Sequence, residues 1–205
     1  MSKIVIVDYS CGNIDSVNSA ITYHGFKGVV TRDPKIINNA DKIILPGQGS
    51  FKIGVNNLKK YNLFDLIISK ALNDNTPILG ICLGMQVLAT MGFENGKENG
   101  LNLIPGNIEK MKETKLKLPH IGWNEIKISK ESPILKNIKN QTDFYFVHSY
   151  RFVCEDNDDI LTTTKYEDTF VSSVCKRNIF GVQFHPEKSL TAGLKLIKNF
   201  IDIEC

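Results

Sequence analysis

Short continuous apolar runs limit the fold of this chain more than any other feature. They lie at Lys3–Val7, Lys42–Leu45 and Pro77–Ile81, with helix-like segments between them. A strand open to water on one face alternates apolar and polar residues, whereas an unbroken run predicts a strand covered on both faces. Gly28–Thr31 is a further strand candidate. Asn13 to Tyr23 reads as a helix with Ile14, Val17 and Ile21 on one stripe. Leu58 to Leu72 reads as another, with Leu63, Leu66, Ile67 and Leu72, and Gly84 to Thr90 as a third. Strand and helix in alternation predict an α/β fold, a mostly parallel sheet with helices on both faces.

The pattern changes between Leu101 and Gln183, where apolar segments are short and close together, as in WNEIKI, DFYFVHSYRFV and TFVSSVCKRNIFGVQF. These predict antiparallel strands, with Lys176-Arg177-Asn178 as a hairpin turn. Leu190, Leu194, Ile197 and Ile201 recur at helical spacing and predict a closing amphipathic helix. With 205 residues and no linker or repeat, residues 1–205 are expected to form a single domain.

Composition narrows the function. The formal net charge is only +3, and the lysine-rich stretch 109–117 also carries glutamates, so a solvated surface is expected there and no nucleic-acid partner. Cys11, Cys82, Cys154, Cys175 and Cys205 are odd in number and contain no CxxC pair. That is a poor disulfide framework and a poor zinc site, and no metal or cofactor is expected. The N-terminus enters a strand without a charged leader, and no apolar stretch approaches the ~20 residues that span a bilayer. A cytoplasmic protein with no membrane partner is the expectation.

Three parallel strands end in residues that packing does not require: DYSCGN (8–13), PGQGSF (46–51) and GICLGMQ (80–86). In open α/β sheets the carboxyl ends of strands share one edge, where ligands bind. Gly80-Ile81-Cys82-Leu83-Gly84 has the form of a nucleophile elbow with cysteine in place of serine. The helix starting near Leu83 would offer N–H groups and a positive dipole end to a thiolate or an oxyanion. Gly47 and Gly49, flanking Gln48, could add backbone donors, and Gln86 would face the pocket from the first helical turn. Taken alone, the pentapeptide fits a buried cysteine beside packing glycines equally well.

A thiol nucleophile needs a base. Of four histidines, His24 reads as a surface residue at a helix end. His185 follows the last apolar strand run, and Pro186 keeps it out of a helix. Glu187, two residues on, could hold the imidazole in the productive tautomer. Cys82, His185 and Glu187 are the expected catalytic residues.

PGxGxF, GICLGMQ and FGVQFHPEKS, in this order and across the whole chain, resemble the class I (triad) glutamine amidotransferases. The resemblance implies that Cys82 attacks the carboxamide of L-glutamine, with His185 as base and acid and Glu187 orienting it. DYSCGNIDSV, GLNLIPG, PHIGWN and YFVHSY are further similar to the family of glutaminase subunits of imidazole glycerol phosphate synthase. This implies a (β/α)8 barrel partner in a heterodimer. The partner would use the ammonia in histidine biosynthesis, to form imidazole glycerol phosphate and the aminoimidazole carboxamide ribonucleotide. Asn13, His120, Gly122, Trp123, Asn124 and Lys188 match partner-facing positions of that family, and His148, Ser149 and Tyr150 match its glutamine pocket. The usual PGVGAF loop carries Gln48 and Ser50 here, which puts the control of idle activity in question, and PHMGWN reads PHIGWN. Two alternatives stay open on these motifs: a paralogue supplying ammonia to a surface-sugar amidotransferase, and an inactive interaction scaffold.

Overall fold

A computed structural model describes residues 2–112 and 115–204. Cys205, and residues 113 and 114 of the lysine-rich stretch, lie outside the described residues. The first half of the chain runs β1 (Ile4–Val7), α1 (Ile14–Tyr23), β2 (Gly28–Thr31), α2 (Pro34–Asn38), β3 (Lys42–Leu45), α3 (Phe51–Lys60), α4 (Phe64–Leu72), β4 (Ile78–Ile81) and α5 (Leu83–Gln86). Eight of the nine strands that follow are β5 (Met91–Gly92), β6 (Glu98–Asn99), β7 (Gly106–Lys110), β8 (His120–Ile128), β9 (Thr142–His148), β10 (Tyr150–Cys154), β11 (Ile160–Tyr166) and β12 (Asp168–Lys176). The ninth is β13 (Ile179–Val182), after which α6 (Leu190–Ile201) closes the chain.

The sheet order is β2-β1-β3-β4-β13-β12-β10-β7-β5-β6, with β11, β8 and β9 branching from β12. From β2 to β13 every pairing is parallel, and β12 then pairs antiparallel to β13. The architecture is the expected α/β sheet with helices on both faces. β1 shows why its sequence does not alternate. Val5 and Val7 pack in one core with Ile37 of α2, Phe51 and Val55 of α3 and Ile67 of α4. Ile4 and Ile6 pack on the opposite face with Val17 and Ile21 of α1 and Leu196, Ile197 and Phe200 of α6. Both faces are dry, so both sets are apolar. The hairpin turn is where it was expected, with Lys176 paired to Ile179 and Arg177 at φ 55°.

Several expectations are corrected. The helix over Leu58–Leu72 is two helices, broken where Asn62 takes a left-handed φ of 57°. Leu58 and Leu63 bury on the same core across the break, so the apolar period reads straight through it. Leu72 is exposed. The helix after Cys82 is a single turn ending at Gln86, so its dipole is that of a few peptide groups rather than a long helix. Leu190 is 72% exposed at the first position of α6, whose buried face is Gly193, Leu196, Ile197, Phe200 and Ile201. The short helix α2 went unread, although Asp33 caps it and Pro34 occupies its first turn, an ordinary start signal.

Candidate active site

Cys82 follows the last residue of β4, and its N–H donates to the Val182 carbonyl of the neighbouring strand at 2.8 Å. Its φ of 53° and ψ of −107° turn the chain sharply into α5 and throw the side chain off the sheet edge. The flanking glycines make that turn possible. A Cβ on Gly84 would stand 1.8 Å from the Leu45 carbonyl oxygen, and one on Gly80 would stand 2.5 Å from the Gly84 oxygen. Strand and helix therefore approach more closely than any side chain permits. Gly47 is packed against the same turn, within reach of the Gly84 N–H, while Gln48 and Gly49 are exposed and Gly49 has φ +119°.

His185 arrives from β13, the strand next to β4, and the Val182–Ile81 register brings the two strand ends level. Its backbone is fixed on both sides. The His185 N–H donates to the Tyr145 carbonyl at 2.9 Å, and Ser189 Oγ donates to the His185 carbonyl at 2.6 Å. Nδ1 of the buried ring lies 2.8 Å from Glu187 Oε1, which leaves Nε2 buried and with no hydrogen-bond partner among the described residues. Burial alone would strip the ring of its proton. The nearby Cys82 and the Glu187 carboxylate bonded at Nδ1 outweigh it, and the His185 pKa is raised to about 10.

A cavity of about 270 Å³ opens over Cys82, lined by Gln48, Gly49, Gln86, Glu94, Pro119, Val147, His148, Ser149 and Tyr150. The expected pocket residues Gln48, Gly49, Gln86, His148, Ser149 and Tyr150 thus converge on the thiol. Leu83 is buried, and its side chain packs against Gly47 and Gly54, so only its backbone can address a ligand. Gln86 Nε2 donates to the Tyr150 carbonyl at 3.3 Å and to Gln183 Oε1 at 3.0 Å, and Gln183 Nε2 in turn reaches Cys82 Sγ at 3.6 Å.

Gln183 and Glu94 are site residues that sequence reasoning missed. A fully buried amide inside the apolar run GVQF was a readable signal for Gln183. Glu94 sits in the loop after β5 with nothing local to mark it. Its carboxylate accepts the Phe51 N–H at 2.7 Å at the start of α3. Among the described residues, no group of three or more His, Cys, Asp and Glu is arranged to hold a metal ion, and no helix is long and apolar enough to cross a membrane.

The positions expected to face a partner divide into two sets. Trp123 is 49% exposed, as is its neighbour Ile121 at 60%, while Asn124, Gly122 and Lys188 are half-buried. Asn13 is exposed and caps α1 by accepting the Ser16 N–H. His120 differs: it is 2% exposed and lies under the strand, stacked between Tyr166 and Phe146. A partner could reach it only through its neighbours.

Residues 5–203 match the glutamine amidotransferase class-I family. The chain is 48% identical over 199 residues to imidazole glycerol phosphate synthase subunit HisH 2 of Methanococcus maripaludis, covering 97% of this chain and 98% of that one. It is 48% identical over 201 residues to the subunit HisH of Pyrococcus furiosus, with 98% of each covered. It is also 44% identical to HisH 1 of Campylobacter jejuni strain RM1221, over 97% of this chain and 98% of that one. Among solved structures, a glutamine amidotransferase superposes with TM-score 0.75 at 16% identity, covering 97% of both chains. A second, from Thermotoga maritima, gives 0.64 at 17% identity, covering 98% of this chain and 83% of that one.

Proposed function

The chain belongs to the class-I glutamine amidotransferase family, and from that premise we propose that it is the glutaminase subunit of an imidazole glycerol phosphate synthase. One observation carries the reading: Cys82 at the end of β4 opens on a cavity of amino-acid size, and the His185–Glu187 pair follows the adjacent strand β13, whose end is level with that of β4.

In this reading Cys82 Sγ attacks the carboxamide carbon of glutamine as the thiolate, beside a protonated His185. The C=O π pair moves onto oxygen, and the resulting oxyanion is held by backbone N–H groups of the turn at Leu83 and of the Gly47–Gly49 loop. His185 gives its proton to the departing nitrogen, the C–N bond breaks, and ammonia leaves a γ-glutamyl thioester on Cys82. The now neutral His185 takes a proton from water, whose oxygen attacks the thioester and releases glutamate and the thiolate. Its raised pKa suits the first role, because the ring enters the cycle already carrying the proton it must donate. Glu187 keeps that proton assignment fixed through Nδ1. Among the described residues Glu94 is the one carboxylate lining the cavity, and it would take the α-ammonium group of the substrate.

Ammonia at neutral pH is mostly protonated and a poor nucleophile, so it is best made against the protein that consumes it. The exposed Ile121 and Trp123 are the surface proposed to meet that partner, a (β/α)8 barrel subunit. Glutamine turnover measured with and without such a barrel protein, loaded with its ligand, tests the reading. Strong stimulation is expected, and equal turnover in both conditions overturns it. Rescue of a histidine auxotroph lacking its own glutaminase subunit, grown without ammonia, tests the acceptor.

A further inference from the structure

A line of hydrogen bonds runs beneath the pocket, from the surface strand β8 to the wall beside Cys82, and its direction can be read from both ends. At one end, Asn124 Nδ2 donates to the Lys165 carbonyl at 3.0 Å, and Asn124 Oδ1 accepts the Glu125 N–H at 2.9 Å. A carbonyl can only accept and a backbone N–H can only donate, so the amide cannot be turned around. Asn124 therefore presents an N–H to His120 Nε2, 3.4 Å away, which must accept it. A neutral His120 then carries its proton on Nδ1 and donates to His148 Nε2 at 3.1 Å.

The other end gives the same answer independently. His148 Nδ1 lies 2.8 Å from the Tyr150 carbonyl, which only accepts, so the His148 proton is on Nδ1 and its Nε2 is bare. The reverse tautomers would set two lone pairs against each other at Tyr150. A charged ring would set N–H against N–H. Burial of both imidazoles also disfavours the charged forms, lowering His120 to about 4 and His148 to about 3.

The placement comes from the sheet. Residues 120, 122 and 124 share the inner face of β8, while Ile121 and Trp123 look outward, and the β8–β9 register sets His120 opposite His148. The Tyr150 carbonyl is a junction, because it also accepts from Gln86, whose amide continues through Gln183 to Cys82 Sγ.

We propose that His120 and His148 are positioning residues of the glutamine site: as neutral Nδ1–H tautomers they form one directed chain from Asn124 to the Tyr150 carbonyl, which fixes the pocket wall of residues 148–150. The proposal rests on the glutaminase reading for its kinetic consequence but not for its spectroscopic one. It ties the partner-facing strand to the wall that glutamine must touch, without a titrating group or a moving loop.

The test uses the full chain labelled with 15N-histidine, whose four histidines are assigned by single substitutions. Two-bond 15N–1H spectra should show His120 and His148 neutral and protonated on Nδ1, the reverse of the preference of free imidazole, down to about pH 5. Either ring found protonated on Nε2, or on both nitrogens, overturns the proposal. The kinetic arm compares His148→Asn, whose amide nitrogen replaces the Nδ1–H donor, with His148→Leu, which has nearly the same shape and no donor. With the barrel partner present, KM for glutamine should stay within about threefold for His148→Asn and rise about tenfold for His148→Leu, with kcat moving less. A packing role alone would favour leucine in this aromatic cage, so equal effects, or a milder leucine, also overturn it. Should His148→Leu not fold, the wild-type spectrum decides. Absence of any glutamine turnover would sink the glutaminase reading while leaving the tautomers measurable.

Discussion

At the scale of single residues, the His185–Glu187 pair sets how the site responds to pH. Because His185 is raised to about 10, the rate of thioester formation should fall as pH climbs past that value and the acid is lost. Glu187 is one of the two groups holding the proton there, so Glu187→Gln moves the alkaline limb to lower pH. It should also cut kcat by roughly 10²–10⁴, the range expected when an imidazole loses its orienting carboxylate. A pH–rate profile of the variant checks both effects, and an unshifted limb would disprove the coupling. Cys82→Ala should abolish labelling by a glutamine-analogue electrophile and lower turnover by about 10⁴ or more, and residual labelling would place the nucleophile elsewhere. All three residues could be read from the sequence, because strand-end chemistry leaves polar residues where packing has no use for them. Glu94 could not, since its position depends on a loop returning over α3.

At the scale of elements, the turn from β4 into α5 is built on missing side chains. Gly84→Ala would drive a methyl group into the Leu45 carbonyl oxygen, a backbone atom of the central sheet that cannot move aside. We expect a loss of about 3 kcal/mol or more of stability and no glutaminase, read from urea denaturation and the assay together. A variant with wild-type midpoint would show that the turn is looser than its geometry implies. The elements themselves were legible in proportion to how local their signals are. The parallel strands announced themselves because both faces of β1, β3 and β4 are dry. The break at Asn62 did not, because a left-handed residue between two leucines of one core leaves the apolar period intact. The resemblance counts His120 among the partner-facing positions of PHIGWN, beside the exposed Trp123. The alternation of β8, one residue out of step, puts His120 underneath.

At the scale of the whole molecule, three histidines shape stability against pH. His120 and His148 titrate lower in the native state than the 6.5 of the unfolded chain. As pH falls below about 6.5 the unfolded state takes up protons that the native state refuses. Stability then drops by up to about 1.4 kcal/mol per pH unit for each ring, until about pH 4 and 3. His185 acts in the opposite sense. Above about 6.5 the native state keeps a proton that the unfolded state has lost, so its contribution fades as pH rises toward 10. Together they place the maximum from these groups near pH 6.5, which urea midpoints across the pH range will confirm or refute. The outward face of β8 carries a separate prediction. Trp123→Ala should weaken partner binding by about 2 kcal/mol in titration calorimetry while the urea midpoint holds, and an unchanged affinity would remove this strand from the interface.

The ladder between β4 and β13 has one more consequence. The amide of Cys82 is itself a rung of that ladder, bonded to Val182 between strands covered on both faces. Its hydrogen should exchange with solvent deuterium only when the whole sheet comes apart, alongside those of Leu79 and Ile81. The backbone position of the nucleophile is then as durable as the fold. Any restraint on wasteful hydrolysis must act on what is not so fastened: the exposed Gln48 and Gly49, whose amides should exchange orders of magnitude sooner.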